Sequence, residues 1–125
     1  MSLPVVLVAE DDEDILLLVA TRLKRDGFDV VTARTGEEAL ALARERRPVV
    51  AVLDIGMPPP DGIEVVRQIR ADAELRTMQL LILTAKAQEG DVRRGFDAGA
   101  DAYVRKPFSP ADLSARVKEL AGQAS

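Results

Sequence analysis

Among its 125 residues the chain has no cysteine, no histidine and no tryptophan, and only one tyrosine and three phenylalanines. Without cysteine there is no disulfide, no thiol nucleophile and no thiolate metal site, as expected of a reducing compartment, and a cytoplasmic location is the expectation. Without histidine there is no His-based metal centre, no Ser-His-Asp triad and no phosphohistidine carried by the chain itself. A basic excess is missing too. Seventeen Lys and Arg against 21 Asp and Glu leave a formal charge of −4, with a pI near 4.9. That excludes the net basic face of a phosphate-backbone binder, so no direct nucleic acid binding is expected. The longest apolar run, residues 15–20, is far short of the ~20 residues of a membrane helix. Residues 1–4 lead straight into a strand-like run, so no signal peptide is expected.

What is present is a chain with 47% hydrophobic residues, which suits one domain with a single core, placed at residues 4–121. Two kinds of segment alternate along it. Short apolar runs at residues 5–9, 29–33, 49–54, 80–83 and within 99–105 read as strands. Between them lie helical patterns. Ile15, Val19 and Leu23 form a stripe closed by Gly27. Thr35 and Glu38 have capping-box spacing, Pro48 stops that helix, and Asp61 with Glu64 opens the next. A fourth helix over residues 89–98 is weakened by Gly90 and Gly95. Ser109, Pro110 and Asp112 start the last, to about Leu120. Five strands alternating with five helices predict an α/β fold, a parallel sheet with helices on both faces.

The run at 49–54 is apolar until it stops on Asp54, so it predicts a strand buried on both faces that ends on a carboxylate. In a parallel sheet all carboxyl ends lie on one edge, where ligands bind. Glu10 and Asp11, Asp54, Thr84 and Lys106 each follow or close a strand and so meet on that rim. Taken singly, each has a simpler use: a turn opener, a solvated helix N-terminus, a cap, a surface lysine. Their convergence is what points to chemistry. Close carboxylates repel unless a cation neutralises them, and an all-oxygen set suits Mg²⁺. A lysine and a hydroxyl opposite complete a place for a phosphoryl group, and a carboxylate nucleophile between them forms an aspartyl phosphate.

Through Val8-Ala9-Glu10-Asp11-Asp12, Leu53-Asp54-Ile55-Gly56-Met57-Pro58, Asp61-Gly62, Leu83-Thr84-Ala85 and Tyr103-Val104-Arg105-Lys106-Pro107-Phe108, the chain resembles the response-regulator receiver domains of two-component signalling. The resemblance implies a flavodoxin-like (βα)5 doubly wound parallel sheet of strand order 2-1-3-4-5. It also implies Asp54 as phosphoacceptor, and Mg²⁺ held by Glu10, Asp11, Asp54 and the backbone carbonyl of Gly56. Thr84 and Lys106 match the residues that hold phosphoryl oxygens, and Thr84 with Tyr103 the family's switch pair. Gly56 and Lys86 fall at places that tune dephosphorylation. The implied partners are a histidine kinase or histidine phosphotransfer protein as donor and an output domain or downstream protein as target. A homodimer would use the surface of the fourth helix, fifth strand and fifth helix.

Some residues depart from the family's pattern. Ala102 stands where a second Asp is usual, Arg93 where an apolar interface residue is expected, and Pro59-Pro60 stiffens the loop after Asp54. No output domain follows residue 125, which fits a stand-alone receiver or a piece of a longer regulator. The alternative function is a phosphorylation-independent interaction module with a vestigial acidic pocket. A haloacid dehalogenase-like phosphatase would need a second Asp at position 56. Both nucleotide-binding glycine fingerprints are absent, and so are the glycine and terminal Glu of a calcium-binding EF-hand loop. No enzymatic role beyond self-catalysed phosphoryl transfer and hydrolysis is expected.

Overall fold

A computed structural model describes residues 3–85 and 89–123. Its elements alternate strictly: β1 (Val5–Ala9), α1 (Glu13–Arg25), β2 (Asp29–Ala33), α2 (Gly36–Arg46), β3 (Val50–Asp54), α3 (Gly62–Ala71), β4 (Gln79–Thr84), α4 (Glu89–Ala98), β5 (Ala102–Arg105) and α5 (Pro110–Gln123). All neighbouring strands pair in parallel, in the order β2-β1-β3-β4-β5. The chain therefore winds one way from β1 to β2 and the other way from β3 onward. The change of direction leaves a crevice at the carboxyl ends of β1 and β3.

Strand alternation divides the core into two layers. Leu7, Ala9, Ala51, Leu53, Leu80 and Ile82 face Leu40, Ala43, Val65, Val66 and Ile69 of α2 and α3. Val6, Val8, Val50, Val52, Leu81 and Leu83 face Leu16, Val19, Leu23, Leu113, Val117 and Leu120 of α1 and α5. β3 is buried at every position, as its apolar run predicts. Each large aliphatic side chain so enclosed contributes about 1.5–3 kcal/mol.

The element bounds depart from the sequence expectation in ways with local causes. α1 begins at Glu13 because Asp12 is its cap, accepting from Asp14 N and Ile15 N at 3.0 and 3.2 Å. Leu16, not Ile15, is the buried leader of its stripe. Gly27 closes the helix at φ +100°, a conformation glycine adopts without a Cβ clash. Gly95 does not merely weaken α4: a Cβ there would stand 2.3 Å from Ile82 Cδ1, so the glycine lets the helix lie close on β4. β5 falls within residues 99–105 as expected, occupying Ala102–Arg105 after Gly99 turns at φ +119°. Ala102 is buried in the α1/α5 layer, where an aspartate would lack water.

Candidate functional site

Register brings the five predicted rim residues together. Ala9 pairs with Leu53, so Glu10 and Asp54 each stand one residue further along adjacent strands. Asp54 pairs with Leu83, and Thr84 with Arg105, which sets Lys106 just beyond. The backbone ladder continues past the strands, Glu10 N donating to Ala33 O at 3.0 Å and Lys106 N to Thr84 O at 2.8 Å. Side-chain positions are thus fixed by main-chain bonds on either side.

The acidic run after β1 separates into different roles. Glu10 is buried, Asp11 is exposed, and Asp12 caps α1. One carboxylate oxygen each from Glu10, Asp11 and Asp54 lies within 4.8 Å of the others. Lys106 Nζ donates to Glu10 Oε1 at 3.0 Å and stands 3.3 Å from Asp54 Oδ1. Asp54 Oδ1 also accepts from Gly56 N at 3.0 Å. Among the described residues, these three carboxylates against the Lys106 ammonium leave two negative charges unbalanced when all are ionised.

Burial, more than the neighbouring charges, sets the proton affinity of Glu10. Burial pushes the Glu10 carboxyl up to about 7; the hydrogen bond from Lys106 holds it lower than burial alone would, and the charge of Asp54 adds to the rise. Burial works against the Lys106 ammonium, yet its hydrogen bond to Glu10 and the charges of Asp54 and Glu10 outweigh that and raise its pKa above the ordinary lysine value. Glu10 Oε2 lies 3.0 Å from Lys106 Nζ as an ion pair but accepts no hydrogen bond, although it is buried. A buried carboxylate oxygen that meets only the shared Lys106 ammonium, beside two more carboxylates, is the donor set a hard divalent cation takes, and Mg²⁺ fits it, since that ion keeps several waters and needs few protein ligands.

Above Asp54 a cavity of ≈ 300 Å³ is lined by Asp54, Ile55, Gly56, Thr84, Ala85, Asp91 and Lys106. Thr84 is buried at its edge. The loop that forms its floor is fixed by close backbone contacts: a Cβ on Gly62 would stand 2.5 Å from Asp54 O, and one on Gly36 2.0 Å from Pro60 O. Larger hollows lie beside Leu17, Leu18 and Pro110 and around Arg70 and Arg76, neither of which gathers this set of oxygens. Tyr103 stands outward, 36% exposed, edge-on to Phe96 with ring centroids 5.8 Å apart. Lys86 lies outside the described residues. Among the described residues, Asp91 is the cavity residue the sequence did not single out: it sits inside a helix, three residues from Arg94, and follows no strand.

A family model for the response regulator receiver domain matches residues 6–118. The chain is similar to the alkaline phosphatase synthesis transcriptional regulatory protein PhoP of Bacillus subtilis, 45% identical over 115 residues, 92% of this chain and 47% of that protein. It is as similar to the transcriptional regulatory protein PrrA of Mycobacterium tuberculosis, 45% identical over 117 residues, 94% of this chain and 49% of that protein. The chain spans about half the length of these curated relatives. Among solved structures it is similar to the receiver domain of the Francisella response regulator 1452, with a TM-score of 0.89, 34% identity and coverage of 98% of this chain and 99% of that one. The chemotaxis response regulator CheY4 of Vibrio cholerae gives a TM-score of 0.89 at 30% identity, covering 95% of this chain and 99% of that one.

Proposed function

The chain belongs to the response regulator receiver domain family, and from that premise we propose that Asp54 accepts a phosphoryl group from a phosphohistidine on a partner kinase or phosphotransfer protein. The observation that carries this reading is Lys106 Nζ held between Glu10 and Asp54 at the mouth of a cavity that Thr84 also lines.

In the step itself, a carboxylate oxygen of Asp54 forms the bond to phosphorus as the phosphorus–nitrogen bond of the donor breaks and the imidazole leaves. Gly56 N–H and Lys106 hold Oδ1, which leaves Oδ2 as the attacking atom. Lys106 meets the developing charge as a compact cation, and the Thr84 hydroxyl donates to a phosphoryl oxygen. Glu10, Asp11, Asp54 and the Gly56 carbonyl would hold Mg²⁺. When bound, that ion neutralises charge on the phosphoryl oxygens. Hydrolysis of the acyl phosphate returns the free carboxylate, and no other turnover is assigned to the chain.

Phosphorylation replaces the single charge of the Asp54 carboxylate with a phosphoryl group of roughly −1.5 to −2, a net gain of about one negative charge or less, and adds acceptor oxygens that draw Lys106 and Thr84 to new partners. Tyr103, exposed beside Phe96, would follow Thr84 inward and change the face made by α4, β5 and α5. That face would then control an output domain or downstream protein, or pair with a second copy of the chain, in the cytoplasm. Residues 4–121 would be the switching unit.

Intact-protein mass spectrometry after incubation with acetyl phosphate, with and without Mg²⁺, tests the reading. One phosphoryl adduct is expected on the wild type with Mg²⁺, and none on Asp54→Ala. A folded wild type that binds Mg²⁺ and takes no adduct would instead support an interaction module that works without phosphorylation.

A further inference from the structure

One wall of the phosphoryl cavity carries a charge that the acceptor chemistry does not need. Asp91, the third residue of α4, lines the same cavity as Asp54, Thr84 and Lys106. Its carboxylate pairs with Arg94 on the next turn, Oδ1 to Nη1 at 3.1 Å, with 35% of the Asp91 side chain and 56% of the Arg94 side chain exposed. A carboxylate at the mouth of a site opposes the entry of an anion and favours a cation, and a guanidinium beside it does the reverse.

We propose that Asp91 and Arg94 set the electrostatic threshold of the cavity: Asp91 slows the entry of anionic phosphodonors and tightens cation binding, and Arg94 counters both. Neither residue touches the reacting atoms; they act through the field they place at the mouth. The inference rests on the reading of Asp54 as phosphoacceptor.

Three proteins test it: wild type, Asp91→Asn and Arg94→Gln. The rate of phosphorylation by acetyl phosphate is measured at saturating Mg²⁺, where an Asp54 oxygen bonds to phosphorus and acetate leaves. The Mg²⁺ Kd is taken from amide shifts in NMR titrations. Asp91→Asn is expected to be phosphorylated ~3-fold faster and to bind Mg²⁺ ~2-fold more weakly, with Arg94→Gln opposite on both counts. Both differences shrink between about 0.1 M and 1 M salt, where the Debye length falls from ~10 to ~3 Å. The crossed signs separate a field effect from a folding defect, which lowers rate and affinity together.

Variants that match the wild type, that lose rate and affinity together, or whose differences persist in high salt overturn the inference while leaving Asp54 as acceptor. A wild type that takes no phosphoryl group overturns the acceptor reading, and this inference with it.

Discussion

The two edges of the sheet treat their polar groups in opposite ways. At the amino-terminal edge the Arg70 guanidinium donates Nε to Gly99 O at 2.9 Å, Nη1 to Arg76 O at 2.8 Å and Met78 O at 2.6 Å, and Nη2 to Asp101 Oδ2 at 2.7 Å. Asp101 Oδ2 accepts Leu80 N as well, at 2.7 Å. One cation meets one anion there, and three further donors close on carbonyls. At the carboxyl-terminal rim, among the described residues, the Lys106 ammonium faces the carboxylates of Glu10, Asp11 and Asp54, and the buried Glu10 Oε2 meets only that shared ammonium. The first edge is saturated and joins α3, β4 and β5; the second is left short of positive charge where a cation and a phosphoryl group would bind. On the proposed function, stability and function are divided between opposite ends of the sheet.

Breaking the saturated edge has the largest expected effect. Arg70→Ala removes an ion pair and three carbonyl partners at once, and a loss of about 3 kcal/mol in urea denaturation is expected. Mg²⁺ affinity, measured on the folded variant, stays that of the wild type, because no rim residue touches Arg70. A similar loss of Mg²⁺ affinity would show that the two edges are not independent.

The rim sharpens the comparison through pH. The Glu10 carboxyl titrates at about 7 when folded against 4.5 when free. Below the lower value both states carry the proton. Between the two values the folded chain holds a proton that the unfolded chain has released, so stability falls as pH rises through that window and stays lower above it. The loss is on the order of 1–3 kcal/mol. Glu10→Gln flattens the slope between pH 4.5 and about 7, read as the urea midpoint against pH.

A smaller contrast of opposite sign lies at the end of α1. Hydrogen bonds from Ser114 and Arg22 hold the Asp26 carboxyl down at about 2, from 3.8. Stability from this group is present above the free value and is lost as pH falls through the folded one. Ser114→Ala is expected to lower Tm by about 3 °C near pH 6, and by much less at pH 2.

Sequence pattern revealed the rim more fully than the saturated edge. Glu10, Asp54, Thr84 and Lys106 follow apolar runs, and a parallel sheet leaves only one place for such residues. Arg70 and Asp101 lie 31 positions apart on elements with no shared periodicity, so nothing local marks them as partners. Asp91 lines the cavity from within α4, which lies close on Ile82 at Gly95, and no apolar run leads up to it in the sequence. Within the acidic run at 10–14 the residue types look alike, and only the register of β1 separates a buried Glu10 from the Asp12 cap. The outward place of Tyr103 was equally invisible, since strand alternation assigns it a face but not its packing against Phe96.

The most direct test of a rim left short of positive charge is a pH titration of the Glu10 side-chain carboxyl by ¹³C NMR, without and with Mg²⁺. A midpoint near 7 without the ion, moving clearly lower when it is added, is the predicted result. A midpoint near the ordinary 4.5, unmoved by Mg²⁺, would contradict it.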